Sequence, residues 1–180
     1  MVVSKSSLTR FSLYHDILIE AIDDLGIESA IAQGLRDPVT TFRKFKSASP
    51  EQQIFFLVES SEILGFVKTG TRRLFLSNGN ELLESSPLCV LDFYVRKQRG
   101  GSGGILFNAM LSVTKISPFA LAFDRPSVAL RRFLTKFGLS KIIMQSNHFA
   151  ISSEFYIPPE IVSPEATNIK LPPVYFLDSL

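Results

Sequence analysis

Apolar residues recur along this chain at two spacings, one helical and one strand-like, and the changes between them outline its elements. From residue 14 to 25, Ile17, Leu18, Ala21, Ile22 and Leu25 fall on one helical stripe, with Asp16, Glu20 and Asp23 facing away. Gly26 predicts a break, and residues 28–35 predict a second short helix ending near Gly34. Pro38 opens a polar, basic connection to Pro50. Residues 54–58 read as a compact apolar strand, and residues 62–76 as a longer one bent at Gly65 or Gly70. Ser77-Asn78-Gly79-Asn80 signals a turn within a polar stretch that runs on to Ser86. The clearest strand follows, Leu88-Cys89-Val90-Leu91-Asp92-Phe93-Tyr94-Val95, then a glycine-rich segment and an apolar helix over residues 105–113. Residues 119–123 predict a buried strand, residues 128–137 an amphipathic helix closed by Gly138, and residues 142–144 and 149–157 the last strands. Strands interleaved with helices predict an α/β (α+β) domain built on one sheet.

Composition narrows this picture. The chain has 180 residues, 46% apolar and 20% charged, ordinary for one folded domain. A folded region over 1–160 is expected, followed by a Pro-rich extension over 161–180. With Pro158, Pro159, Pro164, Pro172 and Pro173, the tail is expected to wrap the surface or be mobile. Net charge is only +2, which argues against a nucleic-acid partner despite basic clusters such as Arg43, Lys44 and Lys46. The single Cys89 excludes an internal disulfide and a multi-cysteine zinc site, and no metal is expected. No run approaches the ~20 apolar residues of a membrane span, and the stretch from Met1 to Ser7 reads as no signal peptide, so no membrane partner is expected and a cytoplasmic protein is.

Chemistry is signalled where the clearest strand ends. Gln98-Arg99-Gly100-Gly101-Ser102-Gly103-Gly104 lies between that strand and an apolar helix. Glycines let the backbone approach a ligand, and the amides at a helix start then face anions. Arg96, Lys97 and Arg99 add positive charge. A dinucleotide-binding fold does not fit, because the motif lies mid-chain without the expected acidic residue after a second strand. A Walker loop does not fit either, since no Gly-Lys-Ser/Thr closes it. The segment resembles the pyrophosphate loop of the GCN5-related N-acetyltransferases (GNAT). Its flanks narrow the resemblance. The Leu88–Val95 strand, Leu106-Phe107 with Met110-Leu111, and Leu121-Ala122-Phe123-Asp124-Arg125-Pro126-Ser127 are similar to the α-tubulin N-acetyltransferase family. Ile22-Asp23-Asp24-Leu25-Gly26, Ala32-Gln33, Gly65-Phe66-Val67-Lys68 and Asn147 with Phe149 continue the pattern in order.

That resemblance implies a mixed, mostly antiparallel sheet flanked by helices, and acetyl transfer from acetyl-CoA to a lysine on the luminal loop of α-tubulin. It implies a monomer acting on microtubules in the cytoskeleton, in a cilium or flagellum where one exists. A protonated lysine cannot attack a thioester, so a base is needed, and so is stabilisation of charge on the carbonyl oxygen. The resemblance carries Cys89, Asp124 and Gln33 as catalytic positions. It leaves open whether the cysteine, the aspartate or a water takes the proton. It carries cofactor contacts to Phe93, Tyr94 and Val95, to Arg96 and Lys97, to the loop from Gln98 to Gly104, and to Ser127-Val128-Ala129-Leu130-Arg131-Arg132-Phe133-Leu134-Thr135-Lys136. Lys68 and Arg72 match positions used around the tubulin loop, while Asp92 and Tyr94 are structural by default on the residues alone. The chain departs from the animal members in a shorter stretch before Gln98, in Gly100 and Ser102 where histidines stand, and in a neutral turn at residues 77–80. Two other readings stay open: a same-fold acetyltransferase with another amine substrate, and a non-catalytic microtubule-binding module.

Overall fold

The computed structural model describes residues 2–4, 15–60, 62–77, 79 and 81–156. The Pro-rich tail, Asn78 and Asn80 of the predicted turn, and most of the polar start lie outside the described residues. In chain order the elements are β1 (Val2–Ser4), α1 (His15–Gln33), α2 (Phe42–Ser47), β2 (Gln53–Glu59), β3 (Glu62–Thr71), β4 (Leu74–Ser77), β5 (Leu82–Ser85), β6 (Leu88–Val95) and α3 (Ser102–Thr114). A 3-10 turn (Pro118–Ala120), β7 (Ala122–Asp124), α4 (Val128–Leu134), a second 3-10 turn (Thr135–Phe137), β8 (Ile142–Met144) and β9 (Phe149–Ser152) follow.

These elements divide into two compact units. In the first, which takes the chain up to Gly70 and Leu91–Met110, β1, β2, β3 and β6 lie side by side in that order. β2 runs antiparallel to both β1 and β3, with Phe55 opposite Val67 and Phe56 opposite Phe66. Leu18, Ile22 and Leu25 of α1 pack with Phe45, Ile54, Phe56 and Phe66 in the core of this unit. Burying each such side chain is worth about 1.5–3 kcal/mol. The second unit holds Thr71–Val90 and the chain from Leu111 onward. There β6, β7, β9 and β8 are neighbours in that order, β6 and β7 parallel, the others antiparallel. β4 and β5 form a separate hairpin, Ser77 opposite Leu82. The mixed, mostly antiparallel sheet and flanking helices are those expected.

Several local expectations are corrected. Gly26 does not break the first helix: α1 runs through it as one 19-residue helix. Its role is close approach, since a Cβ there would sit 1.9 Å from the Thr40 carbonyl oxygen. The long strand ends at Thr71 and resumes as β4 after Arg72 and Arg73, while the pairing of β3 with β2 shifts register beside Gly65, between Leu57 and Val58. The polar stretch after the turn supplies β5, which pattern could not show because none of its four residues is buried. Within the basic connection, α2 forms because the Thr41 hydroxyl accepts from the Lys44 amide and caps it. Residues 119–123 are mostly a 3-10 turn, and the strand itself is Ala122–Asp124.

Candidate active site

In the second unit, β6 and β7 bring the two predicted chemical groups together. Parallel pairing sets Cys89 opposite Ala122 and Val90 opposite Phe123, so Asp124 ends β7. Cys89 is fully buried, and its thiol donates to the Pro87 carbonyl at 3.4 Å. Burial pushes this thiol up to about 12, the Arg72 charge and backbone amide oppose the rise, and the Asp124 carboxylate adds to it. At neutral pH Cys89 is therefore a thiol, neither nucleophile nor base. The Asp124 side chain retains 25% of its exposure and has the Arg125 Nε at 3.9 Å. Arg125 sits at a left-handed φ of 42° and its amide donates to the His148 carbonyl, which fixes the backbone just past Asp124. Strand burial runs up to Phe123, and Asp124 is the more accessible acid of the pair.

Ser127 caps α4, its hydroxyl accepting from the Leu130 amide. Val128, Arg131, Arg132, Thr135, Leu139, Ser140 and Ile142 line an open depression of about 400 Å³ beside this helix. Arg131, Arg132 and Lys136 are exposed, as a phosphate-facing helix requires. Phe133 instead stacks on Phe137 with ring centroids 5.1 Å apart, and Leu134 is fully buried, so these two face the protein.

The first unit carries the glycine loop. Arg99 (φ 62°) and Gly101 (φ 87°) both adopt left-handed backbone, and the Gly101 carbonyl accepts from the Gly104 and Ile105 amides at the start of α3. A Cβ placed on Gly101 or Gly104 would meet nothing within 4 Å, so open space lies beside this backbone. Open space, left-handed turns and a helix start together fit a phosphate chain. Upstream, Phe93 packs against Phe107 of α3 at 6.2 Å. Arg96, expected among the cofactor contacts, is engaged elsewhere: its guanidinium forks onto the Glu28 carboxylate at 2.7–3.0 Å and donates to the Ile63 carbonyl. That hydrogen bond holds the Glu28 carboxyl below its usual range and raises Arg96. Lys97, Gln98 and Gly100 are exposed on the loop.

Gln33 ends α1, exposed, with its side-chain amide donating to Ser29 Oγ at 2.9 Å and Asp92 Oδ1 at 3.3 Å. Lys68, expected near substrate, is only 6% exposed and donates to the Val39 carbonyl at 3.4 Å. Asp92, given no site role on its residues, is a buried acceptor for Ser29, Gln33 and Thr40. The one signal for it in the sequence is the spacing of Ser29 and Gln33, four apart on one helical face. Among the described residues, no group of three or more His, Cys, Asp or Glu could hold a metal ion. No helix there is long and apolar enough to cross a membrane.

Comparison with known proteins adds a family to this geometry. The family model described as GNAT acetyltransferase, Mec-17, matches residues 3–170. The alpha-tubulin N-acetyltransferase of Plasmodium vivax is 39% identical over 158 residues, covering 85% of each chain. That of Plasmodium knowlesi is 36% identical over 159 residues, 86% of this chain and 85% of its own. The alpha-tubulin N-acetyltransferase of Tetrahymena thermophila is 39% identical over 142 residues, 76% of this chain but 35% of that protein, so the chain spans about a third of the ciliate relative. The chain belongs to the Mec-17 family of GNAT acetyltransferases.

Proposed function

Taking that membership as premise, we propose that the chain transfers acetyl from acetyl-CoA to a lysine on the luminal loop of α-tubulin in microtubules. The observation that carries this reading is the 39% identity with the Plasmodium vivax alpha-tubulin N-acetyltransferase along 85% of both chains. On this reading the protein acts at the cytoskeleton and the folded region over 1–160 is the catalytic domain.

Acetyl-CoA supplies the activated acetyl thioester when bound. The amides from Gly101 to Gly103 and the Arg99 charge hold its pyrophosphate, and Arg131, Arg132 and Lys136 of α4 offer charge to phosphate as well. The lysine ammonium must lose its proton before its nitrogen can attack, because the free amine is a minor species near neutral pH. Asp124 accepts that proton: it is the solvent-accessible carboxylate, whereas Cys89 keeps its own proton. Transfer is then direct, with no acetyl carried on Cys89. The Arg72 charge acts on Cys89, where it opposes but does not cancel the rise that burial causes, and it offers a cation at this end of β6. Gln33 presents an amide oxygen to the incoming ammonium.

Incubating the protein with acetyl-CoA and polymerised tubulin, followed by mass-spectrometric mapping of acetyl-lysine, tests the reading. Modification concentrated at one luminal α-tubulin lysine supports it. Acetylation of other proteins only, or microtubule binding without transfer, rejects it in favour of a different substrate or of a binding module.

A further inference from the structure

A charged or polar group buried in a protein is costly unless its hydrogen bonds are met, and Asp92 of β6 is 7% exposed. Its Oδ1 accepts from Ser29 Oγ at 2.9 Å and from Gln33 Nε2 at 3.3 Å, and its Oδ2 from Thr40 Oγ1 at 2.7 Å. Ser29 and Thr40 are each 1% exposed, so the network is shut off from water on every side but that of Gln33. The close approach at Gly26 belongs to the same arrangement: α1 can press onto the Thr40 backbone only because residue 26 lacks a side chain. The Gln33 amide nitrogen is turned inward, where it donates to both Ser29 Oγ and Asp92 Oδ1, two acceptors that are themselves hydrogen-bonded to each other. Two anchors on one nitrogen fix the plane of the amide. Its Oε1 accepts from no group among the described residues and is left on the exposed side.

We propose that Asp92, acting with Ser29, is a positioning group for Gln33: it pins the Gln33 amide nitrogen and thereby directs Oε1 outward as an acceptor for the substrate ammonium. The inference rests on the acetyl-transfer reading above and adds to it a buried carboxylate that never touches the substrate. A fixed acceptor loses little freedom when the ammonium arrives, whereas a free glutamine on the last turn of a helix would sample several rotamers.

The test is a double-mutant cycle on the full chain with acetyl-CoA and polymerised tubulin, comparing Gln33→Ala, Asp92→Asn, Ser29→Ala and each of the last two combined with Gln33→Ala. Asp92→Asn and Ser29→Ala lower kcat about tenfold while moving the acetyl-CoA KM by less than about twofold. In the Gln33→Ala background neither causes a further loss, because there is nothing left to position. Should Asp92→Asn fail to fold, Ser29→Ala carries the cycle, since it leaves the carboxylate and the Thr40 bond in place. A second readout needs no turnover: the Gln33 side-chain amide protons, followed by ¹⁵N NMR, exchange slowly with solvent in the parent protein and fast in Ser29→Ala. Wild-type kcat in folded Ser29→Ala, equal losses in both backgrounds, a fully active Gln33→Ala, or fast amide exchange in the parent protein would each overturn the inference while leaving acetyl transfer standing. No transfer by the parent protein would instead remove the proposed function, and this inference with it.

Discussion

The decisive residue contrast is between two acids joined through β6 and β7. Cys89 and Asp124 look equally suited as the base when read from the chain, and burial separates them: one is sealed, the other reaches solvent. The Cys89 thiol, raised to about 12 from 9.0, keeps its proton in the folded state through the range where an unfolded thiol would ionise. Its contribution to stability is thus fully present below pH 9.0 and is lost as pH rises toward about 12. Two results follow. Iodoacetamide should leave Cys89 unmodified at pH 8 in native protein and alkylate it at once in denaturant, as intact mass would show. The stability gap between Cys89→Ala and the parent should also narrow as pH rises from 9.0 toward 12, checked by chemical denaturation. Rapid alkylation of the native protein would contradict the buried, neutral thiol. The same reasoning applies to Arg96, whose charge suggests phosphate while its geometry assigns it to Glu28. Arg96→Ala should loosen the end of β6 rather than weaken acetyl-CoA binding, which calorimetric titration would separate.

At the scale of elements, apolar pattern located most strands and helices, and each miss has its own physical cause. Pattern sees which positions are apolar, not which backbone comes close. Gly26 reads as a break by propensity, yet α1 passes through it, because its missing Cβ admits the Thr40 carbonyl. Replacing a helical glycine by alanine ordinarily stabilises by about 1 kcal/mol. Here Gly26→Ala should instead destabilise by about 2 kcal/mol, seen as a fall of roughly 4–8 °C in Tm. An unchanged or raised Tm would contradict the close approach. β5 escaped notice for the opposite reason: Leu82 and Leu83 are exposed in a two-stranded hairpin with no buried face to impose alternation. The Arg73–Glu84 pair across that hairpin, both partners well exposed, adds little to its stability.

Across the whole molecule, the fold class was legible, and so were the glycine loop at a helix start, the cysteine strand and the Asp-Arg-Pro-Ser turn, because each rests on a local string. What was not legible depends on contacts distant in the chain, such as Asp92 gathering Ser29, Gln33 and Thr40 across 52 to 63 residues. Lys68 and Arg96 likewise look like free surface cations in the sequence, and only the structure shows Lys68 buried with the Val39 carbonyl and Arg96 held in a surface pair with Glu28. The central claim is that this chain acetylates α-tubulin directly, with Asp124 taking the lysine proton. Its most direct test is single-turnover acetyl transfer from labelled acetyl-CoA to polymerised tubulin, run side by side on the parent protein and Asp124→Asn, with acetyl-CoA affinity measured for both. The account predicts transfer to α-tubulin by the parent, a loss of at least about 100-fold in Asp124→Asn, and an unchanged Kd for acetyl-CoA. An Asp124→Asn protein that transfers acetyl at the parent rate, or a parent that transfers none, would contradict it.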